Sequence, residues 1–252
     1  MKIYIDPGHG GTAIGASYKG RLEQDDVLRL ARAVRDELIK QKNIEVRLSR
    51  GEHENPLITD RAYGANAWGA DYFISLHRNA FKPNAAQGAE AWVYSRVQEN
   101  SDTFNKARRI NELLCAAAGF KDRGVRAGAP SYTDFGVNRL TKMHSCLLEV
   151  GFIDSDADNA LFDSRFSAMA QAIARGLSEA VGVEFRESLP GDADGDGKIT
   201  SADARLILRA ATGLEKVDES VADVNGDGKI TAEDARLTLR RSVGLEGGES
   251  DE

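Results

Sequence analysis

The feature that most constrains the fold is an alternation of strand-like and helix-like segments over the first 183 residues. Short runs rich in β-branched and aromatic residues, such as 2–5 and 71–76, have the pattern of strands. Between them lie longer segments with apolar residues on a helical period, such as 24–41 and 103–118. Strands separated by helices of this length form mainly parallel sheets with helices on both faces. The sequence therefore predicts an α/β domain, a mainly parallel mixed sheet flanked by helices.

The remaining elements of this domain follow the same rules. Further strands are predicted at 44–48, 89–94 and 145–150, and further helices at 58–68 and, as one helix or a pair, 157–181. Residues 121–134 are rich in Gly, Arg and Pro and are predicted to form a loop.

Charge divides the chain into two parts. Residues 187–252 carry 16 Asp and Glu against 8 Lys and Arg, whereas residues 1–186 carry 24 against 25. The net charge of −7 therefore belongs to the tail. No basic stripe suggests nucleic-acid binding.

Other compositional signals are few. No run approaches the ~18 apolar residues that a membrane span needs. Met1 leads directly into the first predicted strand, so we expect either synthesis without a signal peptide or a leader that was removed. The only cysteines, Cys115 and Cys146, lie in apolar surroundings and are expected to be buried free thiols.

A glycine-rich turn around His9 follows the first strand. The run Asp6-Pro-Gly-His-Gly-Gly11 leaves little side-chain bulk over the imidazole. A histidine at the carboxyl end of a strand suits a metal or substrate above the edge of an α/β sheet. Taken alone, the pattern fits an incidental histidine in a turn equally well.

Three further side chains are expected to join His9. His77 and Glu149 lie at or near the ends of two other predicted strands, and Glu23 comes just before the first helix. Because the carboxyl ends of parallel strands share one edge, the four can converge there. Two histidines and one carboxylate form a known catalytic zinc set, and a second carboxylate can carry a proton. Glu149 lies in an apolar string, where an unpaired buried carboxylate costs several kcal/mol.

The other two histidines carry less weight. His53 lies in a polar run and is interpreted as a solvated loop residue. His144 is a weaker candidate for contact with substrate.

Several motifs identify a family that residues 2–182 resemble, the zinc-dependent N-acetylmuramoyl-L-alanine amidases. The motifs are Asp6–Gly11, Leu-Glu-Gln-Asp-Asp at 22–26, Leu-Ser-Arg at 48–50, Asp-Arg-Ala at 60–62, Gly-Ala-Asp at 69–71, Ser75–Ala80, Gly-Ala-Glu at 88–90, Thr-Lys-Met at 141–143 and Leu-Glu-Val-Gly-Phe at 148–152. By this resemblance His9, Glu23 and His77 are the zinc ligands and Glu149 is the catalytic carboxylate. The implied reaction is hydrolysis of the amide between the lactyl group of muramic acid and L-alanine in peptidoglycan.

Two positions depart from the family pattern. Arg78 stands where the family often has a small residue, so we expect altered substrate contacts beside the zinc. An Asn is frequent in the family near Val27, and its absence is expected to affect local packing only.

The tail contains a duplicated loop. Residues 192–214 and 223–245 are identical at 15 of 23 positions, 31 residues apart. Oxygen side chains at positions 1, 3 and 5, Gly at 6 and a carboxylate at 12 follow the calcium-loop pattern of an EF-hand, with Asp in place of the usual Glu. The predicted ligands, counting backbone oxygens at position 7, are Asp192, Asp194, Asp196, Lys198, Thr200 and Asp203 in one loop and Asp223, Asn225, Asp227, Lys229, Thr231 and Asp234 in the other. One helix is predicted after each loop, at 203–212 and 234–243.

Two such loop-helix units resemble a type I dockerin, a small all-α module that binds two structural Ca²⁺ ions and docks into a cohesin on a scaffold or cell surface. The family's partner-reading positions correspond to Ser201-Ala202 and Ala232-Glu233, which differ between the two halves. A calcium-stiffened spacer without a partner is the alternative.

These interpretations divide the chain into a catalytic domain (1–183), a linker (184–191), a dockerin-like domain (192–245) and an acidic tail (246–252). They imply a peptidoglycan substrate and a location outside the cell or at the cell wall. A zinc peptidase acting on stem peptides, a non-catalytic wall-binding module and a metal-free relic of the fold are alternatives. Wall remodelling, cell separation, sporulation and phage lysis all remain open as biological settings.

Overall fold

The computed structural model describes residues 1–129, 133–187 and 189–245, with only the backbone of Ser220. Its contacts divide the chain into two units, Met1–Phe185 and Arg186–Glu252. The predicted acidic tail, 246–252, lies outside the described residues. Within the described residues, no helix is both long and apolar enough to cross a membrane.

The first unit is built on a six-stranded mixed sheet. The strands of this unit are β1 (Lys2–Pro7), β2 (Ser17–Tyr18), β3 (Arg21–Leu22), β4 (Glu45–Leu48), β5 (Tyr72–Asn79), β6 (Ala89–Val93), β7 (Asp122–Ala127) and β8 (His144–Phe152). Strands β2 and β3 form a separate small hairpin, and the other six form the sheet. The order in the sheet is β4-β1-β5-β8-β6-β7. Neighbouring strands are parallel except β6 and β8, which are antiparallel. The prediction of a mainly parallel mixed sheet is thus confirmed.

Helices cover both faces of this sheet. They are α1 (Glu23–Leu38), α2 (Ile58–Trp68), α3 (Asp102–Ala118), α4 (Gly136–Leu140), α5 (Asp156–Ser164) and α6 (Phe166–Ala180). The larger core cluster joins alternate strand residues such as Ile5 and Leu76 to α1, α3 and α6. The smaller one joins the intervening residues, such as Tyr4 and Phe73, to α2 and α4. Period-two alternation along each strand therefore decides which layer a side chain enters.

The predicted loop at 121–134 was partly wrong, because it contains strand β7. Among the described residues this strand pairs with β6 alone, so it forms an edge of the sheet. Its six residues are all half-buried or exposed, so it lacks the buried apolar run that marks a central strand. The short helix α4 was also missed. It has five residues and no side-chain cap at its start.

The two cysteines are buried in the first unit and are not joined to each other. Both lie in the larger core cluster, in agreement with the expected free thiols. Burial raises the pKa of each thiol to about 12, so neither forms a thiolate at neutral pH.

The second unit contains α7 (Ser201–Ala211), α8 (Glu219–Ala222) and α9 (Ala232–Ser242) around a small core that includes Ile207, Ala222 and Ala235. Both long helices begin two residues earlier than predicted. The reason is a capping box at each start, in which Thr200 or Thr231 caps the helix and the Asp three residues later binds back. Gly191, assigned to the linker, donates a backbone hydrogen bond to Val221 within this unit.

Candidate active site

The turn after β1 is fixed by two buried arginines. Arg50 donates to the carbonyls of Pro7 and Gly8, both at 2.9 Å, and Arg61 donates to those of Pro7 (2.9 Å) and His9 (2.6 Å). Arg61 also pairs with Asp6 at 2.7 Å. These arginines belong to the motifs at 48–50 and 60–62, to which the sequence assigned no role. They hold the turn so that His9 faces the edge of the sheet.

Gly8 allows the two histidines to approach each other. A Cβ atom at Gly8 would lie 2.3 Å from Cε1 of His77, so no other residue fits there without displacing that ring. The imidazole centroids of His9 and His77 are 4.9 Å apart. The glycine thus creates the space in which the two rings converge.

Glu23 binds both histidines. Its Oε1 lies 3.1 Å from Nε2 of His9 and 2.9 Å from Nδ1 of His77, and it accepts the backbone N–H of Arg78 at 3.1 Å. Its Oε2 accepts the backbone N–H of Ala16 at 2.8 Å. Burial opposes ionisation of Glu23, but the hydrogen bonds with His77 and His9 outweigh it and hold its pKa well below the usual range. Burial likewise opposes protonation of His77, yet the Glu23 carboxylate raises the pKa of this histidine.

Glu149 lies beside this cluster. It is directly opposite His77 in the register of β5 and β8. Its Oε2 is buried and makes no hydrogen bond to the described residues. Burial raises its pKa to about 7, with the charge of His77 acting in the opposite direction. A carboxyl group in this condition can take up and release a proton near neutral pH.

The cluster of His9, Glu23 and His77 fits a zinc ion. One ligand atom from each residue lies within 4.8 Å of the others. Tetrahedral zinc with ligands at about 2.0–2.2 Å separates its ligand atoms by roughly 3.3 Å, close to the 2.9 and 3.1 Å between Glu23 and the imidazole nitrogens. Two imidazoles and one carboxylate also form a donor set of catalytic zinc sites, which leaves a fourth position open.

A cavity of about 500 Å³ opens above these residues and is called the catalytic cavity here. Its lining includes His9, Glu23, His77 and Glu149, together with apolar side chains such as Ile58 and Phe135.

The structure places the Arg78 guanidinium in the core beneath the site, whereas substrate contacts beside the zinc were expected. Because residues along a strand alternate, Arg78 points to the opposite face of β5 from His77, and its side chain is 0% exposed. It pairs with Asp26 of α1, donates to Asn159 Oδ1 at 2.8 Å and stacks on the ring of Phe162 at 4.2 Å. Burial lowers its pKa to about 10, so it stays charged at neutral pH and anchors helix α1 beneath the site.

The other two histidines lie away from the cluster. His53 is exposed. His144 begins β8, opposite Tyr72 at the start of β5, and so lies at the far edge of the sheet from Glu149. There it contacts Thr103 (2.7 Å) and Asp102 (3.2 Å).

In the second unit, the first predicted calcium loop gathers three carboxylates. Ligand atoms of Asp192, Asp194 and Asp196 lie within 4.8 Å of one another. Burial is the largest cause that raises the pKa of Asp192, and the charges of Asp203 and, to a smaller extent, Asp194 act in the same direction. A cation bound there would relieve this penalty. Asp203 itself accepts hydrogen bonds from the backbone of Thr200 (2.8 Å) and Asp194 (3.1 Å).

The second loop repeats the backbone hydrogen bonds of the first, in which Asp192 accepts from Asp196 and Gly197. Asp223 accepts the backbone N–H groups of Gly226, Asp227 and Gly228 at 2.8–3.1 Å. Asp234 accepts from the backbone of Thr231 at 2.8 Å, as Asp203 does from Thr200. The remaining predicted ligand positions, Lys198, Asn225 and Lys229, lie in the same loops.

At one edge of the mixed α/β sheet, His9, His77 and Glu149 lie at or near the carboxyl ends of strands, and Glu23 joins them from the start of α1. By class, this arrangement is typical of a metal-dependent hydrolase. Comparison with known proteins gives the family. Residues 3–179 match the model of the N-acetylmuramoyl-L-alanine amidase family, and residues 190–241 match that of the dockerin type I domain. The chain therefore belongs to the N-acetylmuramoyl-L-alanine amidases and carries a type I dockerin domain.

Individual relatives agree with this assignment. The N-acetylmuramoyl-L-alanine amidase CwlM of Bacillus licheniformis is 36% identical over 189 residues, 75% of this chain and 70% of that protein. The sporulation-specific N-acetylmuramoyl-L-alanine amidase of Bacillus subtilis is 34% identical over 191 residues, 75% and 71% of the respective chains. The catalytic domain of the amidase CwlV from Bacillus (Paenibacillus) polymyxa has a TM-score of 0.65 at 31% identity, covering 73% of this chain and 99% of that one. The chain is thus an enzyme that hydrolyses peptidoglycan amides, joined to a docking module.

Proposed function

We propose that the first unit cleaves the amide between the lactyl group of N-acetylmuramic acid and L-alanine, using a zinc ion held by His9, Glu23 and His77. The observation that carries this proposal is the convergence of these three ligands beside the unpaired Oε2 of Glu149. A peptidase acting within the stem peptide would need the same chemistry, so the products must decide between them.

Glu149 is the proton carrier in this proposal. Zinc bound at the cluster would polarise the scissile carbonyl and lower the pKa of a bound water from ~16 to about 7. Glu149 takes the proton of the attacking water and returns it to the nitrogen of the leaving L-alanine. Its buried position and raised pKa support both steps, because the carboxyl group can hold the proton between them.

Within the dockerin domain, we propose one Ca²⁺ in each loop. The ligands would come from positions 1, 3, 5, 7, 9 and 12 of each loop, the residues named above, with rearrangement of Asp203 and Asp234 from their capping contacts. The partner of the folded module would be a cohesin on a scaffold or cell-surface protein. The enzyme would then act outside the cell or at the cell wall.

The decisive experiment combines product analysis with one substitution. Mass analysis of digested peptidoglycan should show intact stem peptides released from the glycan. Glu149→Gln should retain zinc and lose activity about 10²-fold or more. Glu112→Gln, on the exposed surface of α3, is the matched control and should keep full activity.

Three results would contradict the proposal. Shortened stem peptides would indicate a peptidase, and unchanged wall material would indicate a binding module. Near-wild-type turnover by Glu149→Gln would remove this residue from the mechanism.

A further inference from the structure

A second cavity continues from the catalytic cavity and is called the arginine cavity here. Its volume is about 690 Å³, and it shares Asn79, Ala80, Phe135 and Glu149 with the catalytic cavity. Beyond these shared residues its lining includes Glu90, Arg123 and Arg126. The two cavities therefore meet at the proposed proton carrier.

A β-bulge brings the two arginines to the same place. Residues three apart in a regular strand point to opposite faces. Here the register of β6 and β7 shifts between Ala89 and Ala91, opposite Gly124, whose φ is 81°. As a result Arg123 and Arg126 both approach the same oxygen of Glu90, at 2.9 and 3.7 Å.

The two arginines are used differently. Arg123 is largely covered, hydrogen-bonded to Glu90 through Nε and placed over the ring of Phe152. Arg126 is beyond hydrogen-bond distance of Glu90, lies over the ring of Trp92 at 5.6 Å and has a half-exposed side chain. Glu90 also accepts hydrogen bonds from Asn79 and Trp92, so its carboxylate is already bound by three donors including Arg123. Within the described residues, the Arg126 guanidinium thus retains donors for a ligand.

The direction of cleavage decides which part of the substrate reaches these arginines. Glu149 returns its proton to the leaving amine, so the released peptide lies on the Glu149 side of the scissile bond. From β8, which carries Glu149, the sheet continues through β6 to β7, which carries the two arginines. Two strand spacings of about 4.8 Å therefore place β7 roughly 10 Å from Glu149. Two extended residues span about 7 Å, and an arginine side chain bridges the remainder.

We propose that the arginine cavity binds the stem peptide by its first free carboxylate after L-alanine, with Arg126 as the direct contact and Arg123 and Glu90 orienting it. This rests on the proposed amidase function. A guanidinium matches a carboxylate in shape and charge, whereas an amidated carboxyl group loses the charge-assisted bond. The enzyme should therefore discriminate between walls whose second stem residue is free and those in which it is amidated.

The test compares two synthetic stem peptides that begin with L-alanine and differ only in a free or amidated carboxyl group on the second residue. Binding to the full chain is measured by NMR titration, which needs no turnover. Cleavage of the two matching muramoyl peptides is measured in parallel. Wild type should favour the free acid about 5- to 20-fold in both assays. Arg126→Gln should abolish the preference, mainly by weakening binding of the acid, and Arg126→Lys should restore part of it.

The matched control is Arg109→Gln. This arginine is similarly exposed and paired with Glu179 at 2.8 Å, but it lies on α3 outside both cavities, so its loss should leave the preference intact. Equal binding of the two peptides by wild type would overturn the inference even if both substrates are cleaved. Acid-selective binding without cleavage would support the cavity and refute the amidase proposal.

Discussion

Arg78→Met is the substitution that best separates a positioning role from substrate contact. Methionine keeps much of the buried volume but removes the charge and the side-chain hydrogen bonds to Asp26, Asn159 and Phe152. Breaking a buried ion pair costs about 3–5 kcal/mol when the partner is left alone. Here Asp26 keeps its bond from Arg21 at 2.6 Å, so we expect a loss of unfolding free energy at the lower limit, about 3 kcal/mol.

The assay is thermal and denaturant unfolding of the first unit, paired with steady-state kinetics. A loss of about 3 kcal/mol corresponds to a fall in Tm of roughly 6–12 °C for a domain of this size. KM should stay within about 2-fold of wild type below the transition, because the guanidinium is fully buried against Asp26 and Asn159 and the backbone N–H to Glu23 is retained.

Arg29→Met provides the control for this prediction. Arg29 also lies over the ring of Phe162, at 5.5 Å, but it is half-exposed and pairs with Asp163 at the surface. Arg29→Met should lower the free energy of unfolding by at most about 1 kcal/mol. If Arg78→Met instead unfolds like wild type while KM rises tenfold or more, the side chain contacts substrate and the positioning role is refuted.

Three further predictions concern the metals. His77→Ala should lower zinc content well below one ion per chain, measured by elemental analysis, whereas His53→Ala should not; full occupancy in His77→Ala would show that the ligand set is wrong. Gly8→Ala should weaken zinc binding roughly 10-fold or more in competition with a chromogenic chelator, because its Cβ overlaps the His77 ring; unchanged affinity would mean that the turn can move aside. Calcium removal should make the second unit sensitive to protease while the first unit stays intact and active, since folding of the calcium loops is coupled to the cation. Asp192→Ala should have part of this effect. Unchanged amide-exchange protection in the second unit would refute the coupling.

The sequence predicts well which residues at strand ends come together, because their meeting follows from the topology of the sheet. His9, His77 and Glu149 follow or end strands of a mainly parallel sheet, and such ends share one edge. The structure brings these three together for that reason, and Glu23 joins them from the start of α1. The family resemblance and the bottom-up pattern agree on these four residues.

What the sequence missed depends on tertiary detail. Simple alternation along β5 would have turned Arg78 away from His77, but the expectation followed sequence adjacency instead. Strand β7 is an edge strand without a buried apolar run, and its bulge at Gly124 has no signal beyond the glycine. Arg123 and Arg126 therefore read as loop residues, although the bulge directs both to Glu90.

The central claim is that His9, Glu23 and His77 together hold one zinc ion beside Glu149. Anomalous diffraction at the zinc absorption edge, from crystals of zinc-loaded protein, tests it most directly. The account predicts a single peak in the first unit, at about 2.0–2.2 Å from a nitrogen of each histidine and an oxygen of Glu23. A peak elsewhere in that unit, or none at this cluster, would contradict it.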